Sequence, residues 1–335
     1  MNTRLLGQTG MRVSSLCFGT MSFGGAADEA TSAAMYHRCR EAGINFFDCA
    51  NVYSAGAAEE ILGRLIQSER DQLVITSKVG FPMGDGVNDR GLSRRNIQPS
   101  VEASLKRLTT DRLDLLFVHT FDPDTPMEET LRVLDKLVRE GKVLYTGVSN
   151  WAAWQIAVSL GISACEGLAA FACIQPMYSL AKRQAEVEIL PLALSEGLGV
   201  ISYSPLGGGL LTGKYGASRK PDQGRLVDNT MYATRYANVQ YYNTAEQFAA
   251  LADDCGVAPA TLAVAWVAAH PAITTPIIGA RNLVQLEQSL AAADYPMTLE
   301  LYARITALSP PPPSPTDRTE EQQGVAYKGS SEDYR

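Results

Sequence analysis

The sequence predicts an α/β protein of the (β/α)8 TIM-barrel class, preceded by a β-hairpin and carrying a long loop after its seventh strand. Eight short apolar runs recur along the chain. Segments with helical spacing and helix-ending glycines lie between them. The runs are apolar throughout instead of alternating, as strands buried on both faces are. A doubly wound open sheet shares the first two features and is the competing class.

Residues 4–13 hold short apolar runs around Gln8, Thr9 and Gly10, which predicts a hairpin ahead of the main fold. The eight strand-like runs follow as Leu16 to Phe18, Asn45 to Phe47, Leu73 to Thr76, Leu113 to Val118, Val143 to Val148, Phe171 to Ile174, Gly199 to Ser202 and Thr274 to Ile278. Among the intervening helices, Glu29 to Ala42 stops at Gly43 and Met127 to Arg139 stops before Gly141, while Ser93 to Leu108 carries apolar residues three and four apart. Tyr215 to Asn243, rich in Gly, Arg, Asn and Tyr, has no clear period and reads as a long loop, either a functional lid or disordered. The most apolar stretch, Thr261 to Ala280, is interrupted by His270, Pro271 and Pro276 and reads as a buried helix followed by a buried strand. A barrel over residues 1–309 and a proline-rich tail over 310–335, extended across the surface, complete the expected organisation.

Composition narrows the partners. A chain of 335 residues with 46% hydrophobic content needs no disulfide or metal to fold. Its net charge of −7 argues against nucleic acid and anionic membrane surfaces. Cys17, Cys39, Cys49, Cys165, Cys173 and Cys255 are scattered, with no paired spacing and no histidine at ligand distance, so reduced thiols and no metal site are expected. Gly7, Gln8, Thr9 and Gly10 interrupt any signal-peptide order, and a cytoplasmic location is the expectation. Assembly with identical copies is left open.

Chemistry in such barrels sits at the carboxyl ends of the strands. The residues that follow the eight runs are Gly19 and Thr20, Asp48, Lys78, His119, Ser149 and Asn150, Gln175, Tyr203 and Ser204, and Gly279. Taken singly, Asp48 reads as a turn cap, Lys78 as a snorkelling side chain and His119 as a satisfied semi-buried ring. Together, on three successive strands with Tyr53 on the loop after the second, they form a chemical unit. A tyrosine titrates near about 10, and a neighbouring ammonium favours its phenolate. Lys78 supplies that charge, Asp48 keeps it protonated, and His119 hydrogen-bonds a substrate oxygen. The unit moves a proton and lacks an electron source, so a hydride donor must come from outside. Gly207, Gly208 and Gly209, with Lys214 beyond, form a turn whose amides suit a pyrophosphate.

These residues carry a resemblance. Asp48-Cys49-Ala50-Asn51-Val52-Tyr53, Ile75-Thr76-Ser77-Lys78, Asp114 through His119, Gly147-Val148-Ser149-Asn150, Tyr203-Ser204-Pro205-Leu206 and Ile277 through Arg281 appear in the order seen in the aldo-keto reductases. The chain resembles that family from about Arg4 to Ser309, in its bacterial-type or potassium-channel-β-like branch. The resemblance implies a barrel that binds NADPH, with Tyr53 as general acid when aldehydes or ketones are reduced and general base when alcohols are oxidised. It implies that Gly19, Thr20 and Met21 adjoin the cofactor together with Asp48, that Ser149, Asn150 and Gln175 hold the carboxamide, and that Tyr203 stacks on the nicotinamide. Ser204, Leu206, Gly208 and Lys214 are implied at the pyrophosphate, and Gly279, Arg281 and Gln285 at the adenosine end. A guanidinium at Arg281 suits the 2′-phosphate, which favours NADPH and leaves NADH as the alternative. Two departures stand out: Gln288 and Ser289 replace the usual Glu and Asn, and Thr120-Phe121-Asp122 follows His119. Phe23, Phe81, Phe121 and Trp151 are the expected pocket walls, around an aromatic, roomy site for a carbonyl or alcohol. Two rival functions use the same residues: a regulatory NADPH-binding subunit resembling potassium-channel β subunits, and a Schiff-base enzyme with Lys78 as nucleophile.

Overall fold

Thr3–Leu5 (β1) and Arg12–Ser14 (β2) pair antiparallel, with Arg4 opposite Val13, as the computed structural model, which describes residues 1–316, places them. The chain then alternates strand and helix: β3 (Cys17–Gly19), α1 (Glu29–Glu41), β4 (Phe46–Asp48), α2 (Ala57–Ile66), β5 (Val74–Val79), α3 (Arg94–Leu108), β6 (Leu113–Val118), α4 (Met127–Arg139), β7 (Val143–Ser149), α5 (Ala153–Glu166), β8 (Phe171–Gln175), α6 (Ile189–Glu196) and β9 (Gly199–Ser202). After β9 come two short helices, α7 (Arg225–Asp228) and α8 (Thr230–Arg235), then α9 (Val239–Asp254), α10 (Pro259–Ala269), β10 (Thr275–Ile278), α11 (Leu283–Leu290) and α12 (Leu299–Thr306).

Strands β3 to β10 run parallel and close into a barrel, because β10 pairs with both β9 and β3. An open sheet is thereby excluded. Local chemistry sets the helix limits. The Asp28 side chain accepts the Thr31 N–H at 2.8 Å to start α1, Thr298 does the same for α12, and Gly167 and Gly197 end α5 and α6 in the left-handed region.

The barrel interior is filled by Cys17, Phe46, Val74, Leu115, Phe117, Cys173, Ile201 and Ile277. Leu6 and Val13 from the hairpin join this inner cluster, so β1 and β2 floor the barrel at the amino ends of its strands. The fit is close: a Cβ on Gly7 would lie 2.5 Å from the Gly199 nitrogen. Arg4 fixes the hairpin by donating to the carbonyls of Ala268, Ile273 and Thr274. The larger apolar cluster lies between strands and helices. Within it, buried Glu59 accepts from Ser77 Oγ at 2.5 Å and from Arg107 Nε at 2.7 Å, tying β5 to α2 and α3 one residue from Lys78.

Two expectations are corrected. Several strands run past their apolar runs into polar residues: β4 ends on Asp48, β5 includes Lys78, β7 ends on Ser149 and β8 on Gln175. These side chains satisfy one another inside the barrel mouth, so polarity there does not end the strand. The segment from Tyr215 to Asn243 is not wholly loop, since it contains α7 and α8 and the start of α9. Asn229 and Asn238 cap α8 and α9 by accepting N–H groups, and these breaks hide the helical period. Cys165 is exposed, unlike Cys17, Cys39, Cys49 and Cys173. Thr261 to Ala280 forms the end of α10 and then β10, and no single helix among the described residues is long and apolar enough to cross a membrane. Of the proline-rich tail, residues 310–316 have no regular structure, and 317–335 lie outside the described residues.

Candidate active site

The mouth of the barrel is organised around one ammonium. Lys78 is fully buried, and its Nζ donates to Asp48 Oδ2 at 2.6 Å, to the Cys49 carbonyl at 2.8 Å and to Tyr53 Oη at 3.1 Å. Three donors therefore meet three acceptors. Asp48 Oδ1 accepts from Thr76 Oγ1 at 2.9 Å and from Gln175 Nε2 at 2.8 Å. Tyr53 opens a tight turn in which Ser54 and Ala55 adopt positive φ of 48° and 52°, followed by Gly56 at 99°. Left-handed backbone at two consecutive non-glycine residues is strained, and Ser54 Oγ holds the turn by donating to the Phe23 carbonyl at 2.7 Å. The turn places the Tyr53 ring centroid 4.8 Å from Lys78 Nζ.

The electrostatics correct the expected direction at Tyr53. Burial raises its pKa more than the Lys78 charge lowers it, so the phenol is pushed up to about 12 and carries its proton at neutral pH. At Lys78 burial works against the charge, yet Asp48 and Tyr53 outweigh it and hold the ammonium above its ordinary value. Burial, aided by the Lys78 charge, pushes His119 down to about 2, so its imidazole is neutral. The His119 ring meets Tyr53 edge-on at 6.0 Å and Phe81 at 4.6 Å, and among the described residues its Nδ1 is buried without a partner.

A second group of polar side chains is continuous with the first. Asn150, at a φ of 60°, donates from Nδ2 to the His119 carbonyl at 2.9 Å and accepts from Tyr203 Oη at 2.7 Å. Ser149 Oγ donates to the Gln175 carbonyl at 2.9 Å. Gln175, through its bond to Asp48, joins the two groups into one network spanning β4 to β9, a link that no local motif announces.

The turn after β9 forms a third group. Gly207, Gly208 and Gly209 all have positive φ, which only glycine adopts freely, and a Cβ on Gly208 would lie 2.9 Å from the Tyr232 ring. Lys214 approaches Gly209, and burial followed by the charges of Arg281 and Arg225 lowers its pKa. Three cations gathered beside a glycine turn fit a polyphosphate ligand by charge and by space. Arg225 and Tyr232 lie in the segment read as loop, and their contribution was hidden by its lack of period. Gln285 Oε1 accepts the Arg281 N–H at 3.1 Å, just ahead of α11, while Asn282 caps that helix by accepting the Gln285 N–H at 3.0 Å.

The remaining expected residues are placed as follows. Gly19 ends β3 where a Cβ would strike Ile277 at 2.7 Å, and Thr20 Oγ1 donates to the Asp48 carbonyl at 3.0 Å, so both brace the barrel rim. Met21 is exposed there. Ser204 has a φ of 60°, Leu206 is partly buried, and a Cβ on Gly279 would approach the Gly19 carbonyl. Phe81 lies against His119, while Phe121 faces Trp151 edge-on at 5.1 Å and Trp151 faces Phe171. Phe23 is not a wall: its ring is fully buried against Phe18, because the chain turns inward there to place Ala27 beside it. Asp122 accepts the Leu92 and Asp124 N–H groups and the Thr125 hydroxyl, fastening the loop after β6 to the start of α3. No cluster of three or more His, Cys, Asp or Glu side chains suited to a metal occurs among the described residues.

Comparison with known proteins agrees with this geometry. The model of the Aldo/keto reductase family matches residues 15–310. A Bacillus subtilis (strain 168) protein named uncharacterized oxidoreductase YrpG is 38% identical, covering 92% of this chain and 95% of its own. Proteins named probable voltage-gated potassium channel subunit beta match as well: that of Arabidopsis thaliana is 37% identical over 88% of this chain and 92% of its own, and that of Oryza sativa subsp. japonica is 36% identical over 95% and 99%.

Proposed function

The chain belongs to the aldo/keto reductase family of oxidoreductases, and from that premise we propose that it reduces aldehydes or ketones to alcohols, reversibly, with NADPH as its cofactor. The observation that carries this reading is the contact of Lys78 Nζ with Tyr53 Oη at 3.1 Å, beside a neutral His119. A protonated phenol, a fixed cation and an uncharged imidazole face one opening.

Ser149, Asn150, Gln175 and Tyr203 would hold the nicotinamide end, Gly208 and Lys214 the diphosphate, and Arg225 and Arg281 the phosphate at the adenosine end. The dinucleotide, when bound, supplies the hydride. Tyr53 gives its proton to the carbonyl oxygen as negative charge develops there. Lys78 stabilises the resulting phenolate, and Asp48 keeps Lys78 charged and aimed. His119, neutral, orients the oxygen by hydrogen bonding and shares its charge. In the oxidative direction Tyr53 accepts the alcohol proton. Lys78 is a poor Schiff-base nucleophile, since its proton is retained and all its donors are engaged.

Loss of reduced-nicotinamide absorbance with a panel of carbonyls tests the reading. Tyr53→Phe should lower kcat/KM by about 100- to 10,000-fold while NADPH binding persists. Full turnover in that variant removes Tyr53 from the chemistry. A regulatory, cofactor-binding subunit is the second reading, favoured by the relatives named as potassium channel subunits. Tight NADPH binding without turnover of any carbonyl, together with recovery of a membrane partner, would select it.

A further inference from the structure

The helix α8 brings a guanidinium to the mouth for which the cofactor has no evident use. Tyr232 and Tyr236, four residues apart, are buried and anchor the helix. Tyr232 packs against Gly208 in the turn after β9. Tyr236 reaches across to the loop after β8, where its hydroxyl lies 3.9 Å from Met177 Sδ and its ring centroid 5.6 Å from Lys182 Nζ. Met177 pairs through its backbone with Tyr203. Arg235 is thus carried between the two turns that flank Tyr203.

Its surroundings leave its charge uncompensated. The Arg235 Cζ lies 5.1 Å from the Tyr232 ring centroid and its Nη2 lies 3.8 Å from Met231 Sδ, and it takes part in no ion pair among the described residues. Its charge acts on the phenols of Tyr203 and Tyr236, easing the rise that burial imposes on both. Lys182 adds a second cation beside Tyr236, bonded to Tyr241 Oη at 3.1 Å. The groups that would meet phosphates, Lys214, Arg225 and Arg281, gather around Lys214, and of them Arg225 also lies against the Tyr232 ring, 5.0 Å from its centroid. The nicotinamide end, where Tyr203 stands, brings no phosphate. An anion at Arg235 therefore arrives with the substrate; of the other groups at that opening Tyr53, His119 and Phe81 are uncharged, and the charge of Lys78 is already engaged by Asp48.

Resting on the reductase reading, we propose that Arg235 is the anion subsite of the substrate pocket, and that the preferred substrates are aldehydes or ketones bearing a carboxylate. The planar fork suits a carboxylate, and the Tyr232 ring holds it in one orientation.

A matched pair of aldehydes, para-carboxybenzaldehyde and para-tolualdehyde, tests this with wild type, Arg235→Gln and Arg235→Lys. Wild type should favour the carboxylated member by about tenfold or more, a preference that shrinks with added salt. Arg235→Gln should lower kcat/KM for that member about 10- to 100-fold more than for the uncharged one, with Arg235→Lys between. Equal losses on both aldehydes, absence of any preference in wild type, or a rise confined to the KM for NADPH would overturn the assignment. If neither aldehyde is turned over, the reductase reading fails separately, and calorimetric titration of benzoate into protein with NADPH present decides the subsite: heat lost in Arg235→Gln supports it, and absent or unaltered heat rejects it.

Discussion

His119 sits where its titration departs far from its behaviour in water. In the unfolded chain it titrates near about 6.5, whereas in the folded protein burial holds it near about 2. Below pH 6.5 or so the unfolded chain binds a proton that the folded ring refuses. Its contribution to stability is therefore complete above the unfolded value and is lost as pH falls toward the folded one, at up to about 1.4 kcal/mol per pH unit. Urea unfolding at a series of acidic pH values should show a flatter dependence in His119→Asn than in wild type. His270 is shifted the same way and stays in both proteins, so the difference isolates His119. Activity should respond differently. With His119 neutral and Tyr53 protonated across the ordinary range, carbonyl reduction should be nearly independent of pH between about 5 and 9, while alcohol oxidation should rise with pH. A reduction rate that falls with a midpoint near 7 would contradict both assignments. Lys78→Met strands Asp48 without its cation and should cost about 3–5 kcal/mol of stability, measurable by thermal or chemical unfolding. At this scale the sequence was informative because Asp48, Lys78 and His119 stand where turn residues are usual. It misplaced Phe23 because a buried aromatic and a pocket aromatic have the same letter, and only packing tells them apart.

Elements were legible in proportion to their burial. Parallel strands covered on both faces leave unbroken apolar runs, so each barrel strand was found, short by one to three residues where Asp48, Lys78, Ser149 or Gln175 continues it. Helices α7 and α8 were missed, being too short and too interrupted by Asn229 to show a period. Contacts between helices were invisible in the sequence. Gly63 in α2 is an example: a Cβ there would stand 2.6 Å from the Arg107 carbonyl at the end of α3. Backbone on the receiving side cannot yield cheaply, and Gly63→Ala should push the helices apart and destabilise by about 1–3 kcal/mol, read as a lower denaturation midpoint. An unchanged midpoint would mean that α2 and α3 separate freely.

Across the whole molecule, stability and chemistry occupy opposite ends of the barrel. The hairpin closes one end with Leu6 and Val13, and the polar network opens at the other. Leu6→Ala should therefore cost about 2–5 kcal/mol while leaving the catalytic constants near those of wild type wherever the variant is folded. A proportionate loss of kcat would show that the two ends are coupled. The closed floor also orders events in time. With Lys78 fully buried and the barrel interior packed with side chains beneath it, a Tyr53 that has given up its proton is recharged from solvent only through the mouth. In the proposed reduction that opening would stay occupied until the alcohol departs, so departure would come first and proton uptake follow it, one arrival and one exit sharing a single door.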